Sequence, residues 1–115
     1  MKKVSLIIPC RNEINFIKGF FESINNQDYP KELIEIIISD GMSDDGTFEY
    51  LKGLKNINFI LIQNKDLYVS PALNKAISIS TGDFIIRLDI HCEFPSNYIS
   101  SLVSYLEDKP HVGNV

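Results

Sequence analysis

Residues 85–94 read Ile-Ile-Arg-Leu-Asp-Ile-His-Cys-Glu-Phe, an apolar run that ends in Asp89, His91 and Glu93, each separated by one residue. Carboxylate and imidazole are both metal-ligating groups, and together they suit Mn²⁺ or a similar transition ion better than Mg²⁺. Alternate residues of an extended chain point the same way. Asp89 and His91 can therefore face one ion, with Glu93 joining them only if the chain stays extended. So few protein ligands leave coordination positions open, as an ion bridging substrate phosphates requires. The same spacing also fits solvated side chains at a strand end. Arg87, two residues before Asp89, fits either a local ion pair or a phosphate contact.

Two other groups of polar residues follow apolar runs: Arg11, Asn12 and Glu13, then Asp40, Ser43, Asp44 and Asp45. Asp40 suits either a turn cap or an acceptor for a base or ribose donor. Carboxylates gathered at one edge repel one another unless cations or donors separate them, and a divalent metal with an anionic ligand is a natural solution. No G-x-G-x-x-G, Walker sequence or nucleophile elbow occurs, which argues against nicotinamide, flavin and common hydrolase chemistry.

The elements that must position these residues alternate. Apolar runs at 3–9, 33–39, 57–63 and 83–89 read as strands. Helical spacing appears over 13–26, with Asn12 as the expected cap, and over about 45–54, with Ser43 or Asp44 as cap. A third helix is expected at 71–80, after the Ser70-Pro71 start signal and closed by Thr81-Gly82. A fourth is expected at roughly 96–108, stopped by Lys109-Pro110. Continuous apolar strands alternating with helices predict an α/β fold, a parallel sheet covered on both faces. Ligands of such sheets bind beyond the carboxyl ends of the strands. That selects loops 9–13, 40–46, 64–70 and 89–95.

With 115 residues, 44% hydrophobic and 23% charged, the chain fits one globular domain. A formal charge of −4 without a basic run argues against a nucleic-acid partner. No stretch approaches the roughly 20 apolar residues of a membrane span, so a cytoplasmic location is expected. The inner face of the membrane is a compatible place for a longer protein. Cys10 and Cys92 fit neither a disulfide framework nor a C-x-x-C zinc site and read as reduced thiols.

Taken in order, "VSLIIPCRNE", "ISDGMSDDGT", "SPALNKAISISTGDFIIRLD" and the following Asp-x-His resemble the inverting family 2 glycosyltransferases. The resemblance spans essentially the whole chain and implies a Rossmann-like GT-A nucleotide-sugar-binding fold. By position it places Pro9, Arg11 and Glu13 in the nucleoside-contacting loop and gives Asp40 the base. Asp45 and Thr47 shape the second loop and helix start, and Asn74 lies near the donor. Asp89 and His91 take the ends of the D-x-D motif that holds a divalent metal, Mn²⁺ or Mg²⁺, on the donor diphosphate. The implied partners are a nucleoside diphosphate-sugar, with a UDP-sugar expected, and a glycan or lipid-linked acceptor in a full-length protein.

Two departures stand out. His91 replaces the last aspartate of D-x-D, and Leu73 replaces the usual arginine before Asn74. D-x-H with A-L-N is similar to the bacterial exopolysaccharide subgroup of the succinoglycan kind, and Arg87 is a candidate to offset the missing arginine. Family members continue into an acceptor half that supplies a carboxylate base. This chain stops at "PHVGNV", so we expect a truncated, donor-binding half whose general base lies beyond residue 115. It would be inactive alone, and the apolar surface left uncovered could pair two copies as a homodimer. The rival readings are a non-catalytic nucleotide-binding or assembly module and, more distantly, a sugar nucleotidyltransferase.

Overall fold

Seven largely apolar residues, Val4–Cys10, form β1, the strand on which the rest of the molecule is built. The computed structural model describes residues 2–55, 57–64 and 69–108. After β1 come α1 (Ile17–Asn25), a one-turn 3-10 helix (Lys31–Leu33), β2 (Ile34–Asp40), α2 (Thr47–Gly53), β3 (Ile60–Gln63), α3 (Val69–Ile79), β4 (Phe84–Arg87) and α4 (Tyr98–Asp108). The four strands form one sheet in the order β3-β2-β1-β4, and every neighbouring pair is parallel. Cys10, Asp40 and Gln63 lie abreast at the carboxyl edge.

Alternation along β1 divides the core. Val4, Leu6 and Ile8 pack with Phe20 and Phe21 of α1, Leu51 of α2 and Ile99, Val103 and Leu106 of α4. Ile7 turns the other way and joins Ile37, Ile62 and Ala76 of α3. Both faces of the central strand are covered, so it reads as continuously apolar rather than alternating. Among the described residues no helix is long and apolar enough to cross a membrane.

The structure moves several expected boundaries. Asn12 does not cap α1. It lies in the left-handed region at φ 54°, and a turn follows in which the Glu13 carbonyl accepts the N–H groups of Phe16 and Ile17. The helix therefore starts at Ile17 rather than residue 13. Neither Ser43 nor Asp44 caps α2: Asp45 accepts the Thr47 N–H at 3.0 Å, across Gly46 at φ 99°. β3 is limited to Ile60–Gln63, and α3 begins at Val69, ahead of the Ser70-Pro71 signal. β4 ends at Arg87 rather than residue 89. Most of the third loop, residues 65–68, and the Lys109-Pro110 stop lie outside the described residues.

The amino edge of the sheet is held by a polar cluster. Glu35 accepts Ser5 Oγ at 2.7 Å and the Thr81 N–H and Oγ1 at 2.9 Å each, with Lys3 Nζ 3.7 Å away. Burial opposes ionisation of this carboxyl, but the Thr81 and Ser5 hydrogen bonds outweigh it and hold its pKa below the ordinary value of 4.5. A depressed carboxylate pKa contributes stability above the unfolded value, and that contribution is lost as pH falls through the folded value. Glu35→Gln is therefore expected to lower stability by about 1–2 kcal/mol at neutral pH. The variant and parent should converge as pH falls through the depressed pKa of the folded carboxyl. Chemical denaturation across pH checks this, and a constant difference at all pH values would exclude the carboxylate's charge as its source.

Candidate functional site

The carboxyl edge gathers the polar loops that follow β1, β2 and β4. The loops after β1 and β2 are cross-linked to each other. Asn12 N–H donates to Ser43 Oγ at 2.9 Å, and Asn12 Oδ1 accepts the Asp44 N–H at 2.8 Å. Glu13 N–H donates to Thr47 Oγ1 at 3.0 Å, and Ile14 N–H to Asp45 Oδ2 at 3.2 Å. Gly41 N–H closes the strand ends onto the Cys10 carbonyl at 2.7 Å. Four side chains of the D-G-M-S-D-D-G-T segment and its neighbour loop thus satisfy backbone donors that no strand or helix serves. Burial opposes ionisation of Asp45, but donors from Thr47 and Ile14 hold its carboxyl below the ordinary range.

Asp40 is fully buried. Its two carboxylate oxygens accept Ser43 Oγ at 2.5 Å and the Ser43 N–H at 3.0 Å. This is the turn-capping geometry, and burial closes the carboxylate off from solvent. Cys10 sits beside it, and burial together with the Asp40 charge pushes the Cys10 thiol far up, so it remains protonated. Pro9 is half-buried at the end of β1, while Arg11 is exposed, its side chain lying over Gly41.

The fourth loop does not stay extended. The β1–β4 ladder ends with Ile7 against Arg87, and Leu88 N–H makes one further bond to the Ile7 carbonyl at 3.1 Å. The chain then turns, with Cys92 N–H returning to the Asp89 carbonyl at 3.2 Å. The turn, rather than strand alternation, brings Asp89 and His91 together. It also adds Cys92: ligand atoms of Asp89, His91 and Cys92 all lie within 4.8 Å of one another. Glu93 is exposed and outside this cluster. Gln27 anchors the far end of the loop, donating to the Pro95 carbonyl at 2.7 Å and accepting the Ile99 N–H at 3.0 Å.

Two contacts orient the cluster. Arg87 pairs with Asp89 Oδ1 at 3.4 Å, so the local ion pair is the arrangement adopted. Glu13 Oε2 lies 3.2 Å from His91 Nδ1. A carboxylate on one ring nitrogen sets the tautomer and leaves the other nitrogen free to ligate. Glu13 therefore reaches the fourth loop from the first, a link that linear spacing does not display. The donor set of one carboxylate, one imidazole and one thiol is chemically suited to a divalent transition ion. Beside it, a cleft of about 500 Å³ runs between α1 and the fourth loop, with Phe16, Phe20, His91, Cys92 and Phe94 in its walls. Asn74 is exposed on α3, and among the described residues it makes no hydrogen bond to the other candidates.

The parallel sheet with its loops at one edge is the fold of the GT-A glycosyltransferases. Staphylococcus aureus TarS 1–349 superposes with a TM-score of 0.82 at 22% identity, over 92% of this chain and 32% of that one. The mannosyltransferase PcManGT from Pyrobaculum calidifontis, solved with GDP-Man and Mn²⁺, gives a TM-score of 0.81 at 25% identity, over 91% of this chain and 32% of that one. The sequence model of glycosyl transferase family 2 matches residues 5–115, and the chain belongs to that family.

Among curated relatives, the dolichyl N-acetyl-alpha-D-glucosaminyl phosphate 3-beta-D-2,3-diacetamido-2,3-dideoxy-beta-D-glucuronosyltransferase of Methanococcus voltae is 35% identical, covering 100% of this chain and 38% of its own. The succinoglycan biosynthesis protein ExoA of Rhizobium meliloti is 31% identical, over 85% of this chain and 31% of its own. The second agrees with the subgroup resemblance carried by D-x-H and A-L-N. The chain spans about a third of the length of these relatives.

Proposed function

We propose that this chain is the single, donor-binding domain of an inverting family 2 glycosyltransferase, and that it binds a nucleoside diphosphate-sugar with a divalent ion. The observation that carries the reading is the junction of the first and fourth loops. Glu13, expected at the nucleoside, reaches His91, expected at the metal, at 3.2 Å. Asp40 lies at the same edge and, fully buried, shapes the second loop beside the base through its two bonds to Ser43. Asp89 and His91 hold the ion, Pro9 and Arg11 border the nucleoside, and Asn74 approaches the donor from α3. Arg87 keeps guanidinium N–H groups beyond its Asp89 contact for a phosphate oxygen.

A bound divalent ion supplies Lewis-acid stabilisation of the leaving diphosphate. The residues of this chain orient that diphosphate and fix the imidazole that faces it. In the whole protein the sugar passes to a glycan or lipid-linked acceptor by direct displacement, in polysaccharide or cell-surface glycan synthesis. The chain spans about a third of the length of its relatives, and this reading assigns it donor binding rather than transfer. The GDP-Man and Mn²⁺ complex of PcManGT supports a nucleotide-sugar and a metal, and the relatives' names support a glycan or lipid-linked acceptor. Exposed Ile60, Ile77 and Ile79 support association of two copies through apolar surface.

Calorimetric titration of the chain with UDP, in Mn²⁺ and in chelator, tests the reading. At least about 100-fold tighter binding with the ion is expected, equivalent to about 2.7 kcal/mol. Binding of equal strength in both, or none in either, would favour the non-catalytic module.

A further inference from the structure

We propose that Cys92 is a third protein ligand of the ion held by Asp89 and His91, and that its thiolate makes this site prefer Zn²⁺ or Co²⁺ to Mn²⁺ and Mg²⁺. The inference rests on the donor-site reading and names its metal class. Asp89, His91 and Cys92 bring one ligand atom each to within 4.8 Å of the others, and side-chain rotation alone can close that spacing onto one ion while the chain keeps its turn. The turn itself places the thiol, since the Cys92 N–H is bonded back to the Asp89 carbonyl.

The neighbours leave the right atoms available. Arg87 contacts only Oδ1 of Asp89, and Glu13 engages Nδ1 of His91, so the second carboxylate oxygen and the other ring nitrogen remain open. Cys92 itself is exposed and in no disulfide.

Softness decides the selectivity. An oxygen and nitrogen pair serves Mn²⁺ adequately, whereas a thiolate adds a strong bond to Zn²⁺ or Co²⁺ and little to Mn²⁺ or Mg²⁺. Binding converts the Cys92 thiol and the free ion into a thiolate–metal bond and one proton released to buffer. With three protein ligands the ion keeps at least one open position, which a diphosphate oxygen can take. The other cysteine does not compete, because Cys10 is buried and held protonated beside Asp40.

The test is titration of the chain with Co²⁺ and Zn²⁺ alone, followed by absorption spectroscopy and calorimetry, and repeated with Cys92→Ser and Asp89→Ala. The parent should show a thiolate-to-Co²⁺ charge-transfer band in the near ultraviolet that both variants lose. Cys92→Ser should weaken Zn²⁺ at least about tenfold and leave Mn²⁺ within about twofold. Three results would each overturn the thiolate ligand: no band in the parent, a band that survives Cys92→Ser, or equal Zn²⁺ affinity in Cys92→Ser. If UDP binding still depends on Mn²⁺ in those cases, the donor site stands without Cys92. If UDP binding shows no metal dependence with any ion, the donor-site reading fails with it.

Discussion

Asp89→Ala is expected to weaken metal-dependent binding of UDP at least about 100-fold, or roughly 2.7 kcal/mol, while leaving the fold intact. Asp89 is the one carboxylate among the three clustered side chains. Its loss removes both a hard oxygen donor and the negative charge that offsets the ion. The Arg87–Asp89 pair is half exposed on both sides, at 45% and 41%, and pairs of that kind contribute little to folding. Thermal midpoints of variant and parent should therefore agree within a few degrees. Freed from Asp89, the Arg87 guanidinium remains at the rim to attract diphosphate. The variant should thus keep weak UDP binding that no longer responds to Mn²⁺, whereas full Mn²⁺ dependence in Asp89→Ala would remove Asp89 from the site.

Gly82→Ala is expected to produce the largest loss of stability, about 3 kcal/mol, or on the order of 10 °C in Tm. A Cβ at this position would lie 2.5 Å from Ser5 Oγ, 2.6 Å from Ser5 N and 3.0 Å from the Val4 carbonyl carbon. Two of those atoms are backbone of the central strand, paired on both sides to β2 and β4, so they have nowhere to move. The incoming segment would shift instead, at the expense of the Gly82 N–H to Ser5 Oγ bond of 2.8 Å and the Asp83 N–H to Lys3 carbonyl bond of 2.7 Å. The need for glycine is one of close approach, since its φ is not in the left-handed region. Differential scanning calorimetry reads the effect. A midpoint within 2 °C or so of the parent would mean that the crossing into β4 is loose.

How much of this was legible in the sequence depended on the range of the interaction. The strands were readable because Val4–Ile8 and Ile36–Ile38 are buried on both faces and carry no alternation to disguise them. The parallel order then placed Arg11, Asp40 and Asp89 at one edge without further information. Helix starts were not readable, because their local signals were used elsewhere. Asn12 looks like a cap but spends its side chain on Asp44 of another loop. Ser43 looks like a cap but is held by Asp40 and Asn12.

The Asp89–His91–Cys92 cluster was legible in part for a different reason. Extended geometry argued Asp89 and His91 onto one side, with Glu93 as the optional third member. The end of pairing at Arg87 let the chain turn, and the turn exchanged Glu93 for Cys92. No property of the segment alone announces where its neighbour strand stops supporting it. The Glu13–His91 contact was equally hidden, because it joins residues 78 positions apart.

The central claim, that Asp89 and His91 hold an ion on a nucleoside diphosphate, is most directly tested by paramagnetic broadening in amide NMR spectra of the chain. Mn²⁺ with UDP should erase signals from Asp89, His91, Cys92 and Glu13 at substoichiometric ion. Ser5, Glu35 and Thr81, at the opposite edge of the sheet, should keep theirs. Broadening centred on that opposite edge, or spread evenly over the acidic surface, would contradict the account.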